Sequence, residues 1–132
     1  MKHVLQPKDW PKPKGYANGI AARGTLVFVA GQIGWNGTTE RFETDDFVGQ
    51  FRQALQNVVA VLAEAGAEPA HLVRFTWYVT DKHEYLSRLP EIGQAYRDVI
   101  GRNYPTMALV EVKGLVEDRA KVEIEATAVI PD

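Results

Sequence analysis

The run Lys121-Val-Glu-Ile-Glu-Ala-Thr-Ala-Val-Ile constrains this chain more than any other stretch. Its residues alternate: Val122, Ile124, Ala126 and Ala128 fall on one side of an extended backbone, and Lys121, Glu123, Glu125 and Thr127 on the other. That period belongs to a strand with one dry face. The stretch ahead of it, Pro105-Thr-Met-Ala-Leu-Val-Glu-Val, alternates in the same way. Pro105 pushes the residue before it out of the helical region and so ends any helix that precedes it. Gly114 to Arg119 separates the two runs, which together read as a strand, a turn and a returning strand.

Upstream, residues 1–14 are rich in Pro and Lys around Trp10 and read as an extended arm. Ile20 to Ala22 is a short apolar run, Arg23-Gly24 a turn, and Thr25 to Ile33 a strand. Leu26, Phe28 and Ala30 share one face of that strand and Val27 and Val29 the other, so it is apolar on both. Gly31 interrupts it and marks a bulge or a close backbone approach. Gly34 to Arg41 is a loop. From Thr44 the period changes: Phe47, Phe51, Leu55, Val58, Val59 and Leu62 recur at helical spacing, with Thr44 or Asp45 as the cap and Gly66 as the stop. His71 to Thr80 is a third strand, with Phe75, Trp77 and Val79 opposite Arg74, Thr76 and Tyr78. Asp81 caps a second helix that runs irregularly to Ile100, divided by Pro90 and ended by Gly101.

The order is therefore β-β-α-β-α-β-β in one domain, 1–132, of α+β class. Two helices cover only one face of such a sheet. The strands at Leu26 and Met107 are apolar on both faces, with Met107 and Leu109 opposite Ala108, Val110 and Val112. The uncovered face predicts self-association.

A net charge of -2 gives no reason to expect nucleic acid or an anionic membrane as partner. The absence of cysteine excludes disulfides and thiol chemistry. No apolar signal core or membrane-length run is present, so a cytoplasmic protein is expected. His3, His71 and His83 lack metal-ligand spacing, and Ser87 lacks the glycines of a nucleophile elbow. Gly31-Gln-Ile-Gly34 leads into a loop, unlike a phosphate-cradling turn, which opens a helix. Two residues remain as candidates for chemistry. Glu123, beside Glu125, reads either as part of a solvated strand face or as a general acid/base tuned by an apolar surround. Tyr16 reads either as an arm-packing aromatic or as a substrate contact.

Gly15-Tyr16, Leu26 to Ile33, the Phe51 to Gly66 helix, Val79-Thr-Asp81, Pro105 to Val112 and Val122 to Ala128 together resemble the RidA/YjgF family, over nearly the whole chain. The resemblance implies a chorismate-mutase-like domain assembled as a homotrimer, with an inner barrel of sheets and ligand pockets between subunits. It implies cofactor-free hydrolysis of reactive imines and enamines, with Glu123 and Tyr16 as catalytic residues and Ala30, Gly31, Met107 and Leu109 at the substrate. The family's carboxylate-gripping arginine falls at Met107, whose thioether has neither charge nor donor. Ala30 stands at a usual serine, Leu109 at an occasional cysteine, and Leu89 or Gly93 at an asparagine of the second helix. The reading is a deaminase of a non-standard imine or enamine. The alternative is a non-catalytic trimer that binds a small metabolite. Neither implies a cofactor, a metal, nucleic acid or a membrane.

Overall fold

The computed structural model describes residues 2–132; Met1, at the start of the expected arm, lies outside them. The elements are β1 (Lys2–Leu5), β2 (Gly19–Ala22), β3 (Thr25–Ile33), α1 (Phe47–Glu64), β4 (Leu72–Val79), α2 (Lys82–Leu86), α3 (Leu89–Ile100), β5 (Thr106–Glu111) and β6 (Val122–Ile130). β3, β6, β4 and β5 form a mixed four-stranded sheet in that order. The class is α+β, with helices packed on one face.

β6 lies in the interior of the sheet, antiparallel to both β3 and β4. Val122, Ile124, Ala126 and Ala128 are all buried, as their alternation predicts. The expected hairpin of β5 and β6 does not form. β5 pairs parallel with β4 instead, and β4 lies between the two runs. α2 and α3 supply the crossover that a parallel pair requires. The connection 112–121 then passes the end of β4, where Val112 N donates to Val79 O and Thr80 N to Lys121 O. Alternation specifies a face, and both runs satisfy it; it does not specify a neighbour.

α1 buries Phe47, Phe51, Ala54, Leu55, Val58 and Leu62 against the sheet. Full burial of each large apolar side chain is worth about 1.5–3 kcal/mol. The helix starts one residue later than the expected caps, on Asp46, whose carboxylate accepts from Gly49 N at 3.0 Å. Gly66 follows the helix at φ 73°, the left-handed geometry that suits a glycine stop. Gln50, fully buried on α1, donates to Thr44 O and Arg119 O and accepts from Lys121 N, which ties the helix to the entry of β6.

The expected second helix is two. α2, capped by Asp81, ends at Leu86, and Pro90 lies in the first turn of α3, where its missing N–H costs no helix bond. Part of the arm is also more ordered than expected: Lys2–Leu5 pairs antiparallel with β2 as a separate two-stranded sheet.

The sheet face away from the helices is bare within the chain. Leu26 and Phe28 are 56% and 72% exposed there. Met107 and Leu109 point the other way and pack against the core.

Candidate functional site

The residues singled out by sequence fall into two groups on this chain. The first forms around an irregularity in β3. Val29 pairs with Ala126, but Gln32 pairs with Ile124, so β3 holds one residue more than β6 over this interval. The surplus lies at Ala30-Gly31, a β-bulge of the kind that re-aims neighbouring side chains. Glu123 lies across it. A Cβ at Gly31 would sit 2.7 Å from Glu123 Cδ and 2.9 Å from its Cγ, and would overlap Oε2. The bulge residue is therefore glycine for room: the Glu123 side chain occupies the space of a side chain at 31.

Glu123 and Glu125 share a face, as expected, but not a state. Glu125 accepts from the Tyr78 hydroxyl at 2.8 Å. That hydrogen bond, with lesser contributions from burial and the charges of Glu125 and Glu123, raises the Tyr78 pKa above its ordinary value. Among the described residues the Glu123 carboxylate has no hydrogen bond or ion pair, so it is available to a ligand or a second chain. Sequence reasoning missed Tyr78, although its outward register in β4 placed it beside the glutamates.

The second group lies at the opposite edge of the sheet. Ala17 bridges in parallel to Thr106, and its N–H donates to Pro105 O at 3.1 Å. This holds the neighbouring Tyr16, 40% exposed, beside the start of β5. Met107, one residue into β5 beyond Thr106, faces the helices. With Gly15, Trp77, Tyr96 and Tyr104 it borders a cavity of about 380 Å³ between β5 and α3. Leu89 and Gly93, the two positions set against the family's asparagine, border the same cavity. Leu109 is the next helix-facing residue of β5, paired with Trp77.

One chain does not join the groups. Glu123 is level with Tyr78 and, through it, with Val110. It is thus four residues from the level of Thr106 and two strands in from β5, or about 13 Å along and about 10 Å across at ordinary strand spacings. Met107 and Leu109 also lie on the other face of the sheet. The apolar surround expected for Glu123 from those two side chains is therefore not supplied by its own chain.

Among the described residues, no cluster of three or more His, Cys, Asp or Glu could hold a metal ion, and no helix is long and apolar enough to cross a membrane.

Comparison with known proteins gives this arrangement a context. A family model described as Endoribonuclease L-PSP matches residues 9–130. A RutC family protein of Pyrococcus horikoshii is 33% identical, over 97% of this chain and 98% of its own. TdcF of Escherichia coli, named as a candidate reactive intermediate deaminase, is 32% identical over 98% of each chain. Its crystal structure with bound serine superposes with a TM-score of 0.69, covering 97% of this chain and 98% of that one. The Rid family protein YyfB of Yersinia pestis superposes with a TM-score of 0.84 at 29% identity, covering 98% of each chain. The chain belongs to the Endoribonuclease L-PSP family, within the RidA/YjgF superfamily.

Proposed function

We propose that the protein is a cofactor-free hydrolase of an imine or enamine, acting where copies of the chain meet in a homotrimer. The observation that carries this reading is the unpartnered Glu123 carboxylate laid over the Gly31 backbone. An imine is hydrolysed by adding water to its carbon and then breaking the C–N bond. In this reading Glu123 takes a proton from the attacking water and passes it to the nitrogen, which gives a carbinolamine; it then moves the hydroxyl proton to the nitrogen as the C–N bond breaks, so that ammonia leaves and the carbonyl forms. One carboxylate in the right place serves both steps. An enamine enters the same route after protonation at carbon. Tyr16 and Met107 of a neighbouring copy face the substrate from the other side, because their own chain holds them too far from Glu123. The exposed row of Leu26 and Phe28 supports such an assembly.

The name of TdcF supports the reaction class, and its bound serine supports a small metabolite as ligand. In this chain Met107 offers a substrate carboxylate no charged donor, so 2-aminoacrylate is a poor substrate. The deficit against an arginine-bearing relative is roughly ten- to a hundredfold. A role on RNA is disfavoured by the net charge of -2, since phosphate binding needs a surplus of Lys and Arg.

Met107 and Ala30 favour one competing reading, a trimer that binds a metabolite without converting it. Turnover separates the two. Imines released in situ by an amine oxidase, which carry no α-carboxylate, should be hydrolysed by the wild type and by Glu125→Gln. Glu123→Gln should lose on the order of a hundred- to ten-thousandfold. Equal rates in the two variants would leave the binding reading.

A further inference from the structure

We propose that Gly93 of α3 sets the substrate class: its missing side chain opens the cavity between β5 and α3 to the aromatic body of an arylalkyl imine. Gly93 lies inside the helix Leu89–Ile100, where glycine is less stable than alanine. Nothing in the local backbone demands it, because its φ is outside the left-handed region that Gly66 and Gly101 occupy. Nor does close packing. The nearest atoms to a Cβ there all belong to the Arg97 guanidinium, at 3.2 Å for Nη1 and 3.9 Å for Cζ and Nη2. That group is the far end of an exposed, flexible side chain and can move aside. Gly31 differs, since a Cβ at that position collides with Glu123.

What Gly93 supplies is room. It borders the cavity of about 380 Å³, at the small end of ligand sites, with Trp77, Tyr96, Tyr104 and Met107. Tyr96 and Tyr104 stack with centroids 5.5 Å apart and planes 8° apart, and Trp77 lies 6.0 Å from Tyr96. Met107 adds a polarizable thioether. Such walls suit a flat apolar group. Trp77, Ile92 and Tyr96, the buried part of the lining, carry no charge, and the Tyr96 hydroxyl already donates to Asn103 O. A charge on the enclosed part of a substrate would go unmatched there. Lys14 and Arg97 are exposed and stand at the rim.

This deepens the reading above, in which Met107 of one copy and Glu123 of another face the substrate. The ring enters the cavity, and the C=N end stays between those two residues. An amine oxidase acting on 2-phenylethylamine or on butylamine would release two imines for comparison by kcat/KM. The expected result is a preference of at least about tenfold for the phenylethyl imine. Gly93→Leu, which fills the cavity, should bring that ratio close to one, with Gly93→Ala in between. Both variants should melt no lower than wild type, since each removes a helix glycine. Calorimetry with 2-phenylethanol and butanol reads the same choice without turnover. The wild type should bind the aromatic alcohol at least about tenfold tighter, and Gly93→Leu should lose that margin. Equal hydrolysis of both imines, or a preference that survives Gly93→Leu, would overturn the proposal and leave the hydrolase standing. Binding of 2-phenylethanol that depends on Gly93 in a protein that turns over neither imine would uphold the cavity assignment and discard the hydrolase. Neither turnover nor binding would overturn both.

Discussion

Glu123 and Glu125 occupy equivalent positions in an alternating run, and no property of that run ranks one above the other. What separates them is their neighbours: a tyrosine hydroxyl holds Glu125, while a glycine at a bulge makes room for Glu123. The second relation predicts the behaviour of Gly31→Ala. The new methyl group collides with the Glu123 side chain, and either the carboxylate moves or β3 and β6 separate. If the carboxylate moves, turnover falls about as far as in Glu123→Gln, on the order of a hundredfold or more. Stability drops only by the roughly 1–3 kcal/mol typical of overpacking. Kinetics together with thermal melts check this, and full activity in a folded Gly31→Ala would show that the placement of Glu123 over the bulge is unimportant. The glycine itself was legible as a break in β3; its partner was not, because Glu123 is more than ninety residues away in sequence.

At the scale of elements, α1 is a case where sequence and structure agree on all but one residue. Its apolar spacing and its glycine stop are local signals, and both are realised. Asp46 takes the cap from Thr44 and Asp45 because its carboxylate meets Gly49 N and also pairs with Arg88 at 3.1 Å. The backbone hydrogen bond first, and then Arg88, lower the Asp46 pKa below 3.8. A depressed carboxylate pKa contributes stability that is present above the unfolded value and lost as pH falls through the folded one. Asp46→Ala should therefore cost about 1 kcal/mol near neutral pH, the usual loss for a cap. The difference from wild type should shrink below about pH 4 as the wild-type carboxylate protonates. A difference that stays constant into acid would contradict the cap. Strand neighbours, by contrast, were not legible. β5 and β6 both carry a convincing alternation, yet β4 intervenes, because which strands pair depends on a crossover through α2 and α3 that no local pattern records. The cavity beside Met107 was hidden for a similar reason: Trp77 shows in the sequence only as one side of an alternating strand, and the space arises where it meets Tyr96 of α3 and Met107 of β5.

For the whole molecule, the bare sheet face demands a partner, and a copy of the chain is the cover proposed above. Light scattering coupled to size exclusion should give a trimer. Phe28→Glu, which puts a charge into the exposed row of β3, should shift it towards monomer, and a wild-type monomer at micromolar concentration would remove the proposed site. The central claim is narrower than assembly: one active site takes Glu123 from one copy and Tyr16 from the next. Subunit mixing tests it most directly. Glu123→Gln and Tyr16→Ala, each inactive alone on the imine panel, would be unfolded together, refolded at equal concentration and checked for mixed trimers. If sites are shared between copies, about a quarter of all sites in the randomly reassembled population receive both intact residues, and activity returns to roughly that fraction of wild type. Mixed trimers no more active than their parents would contradict the account.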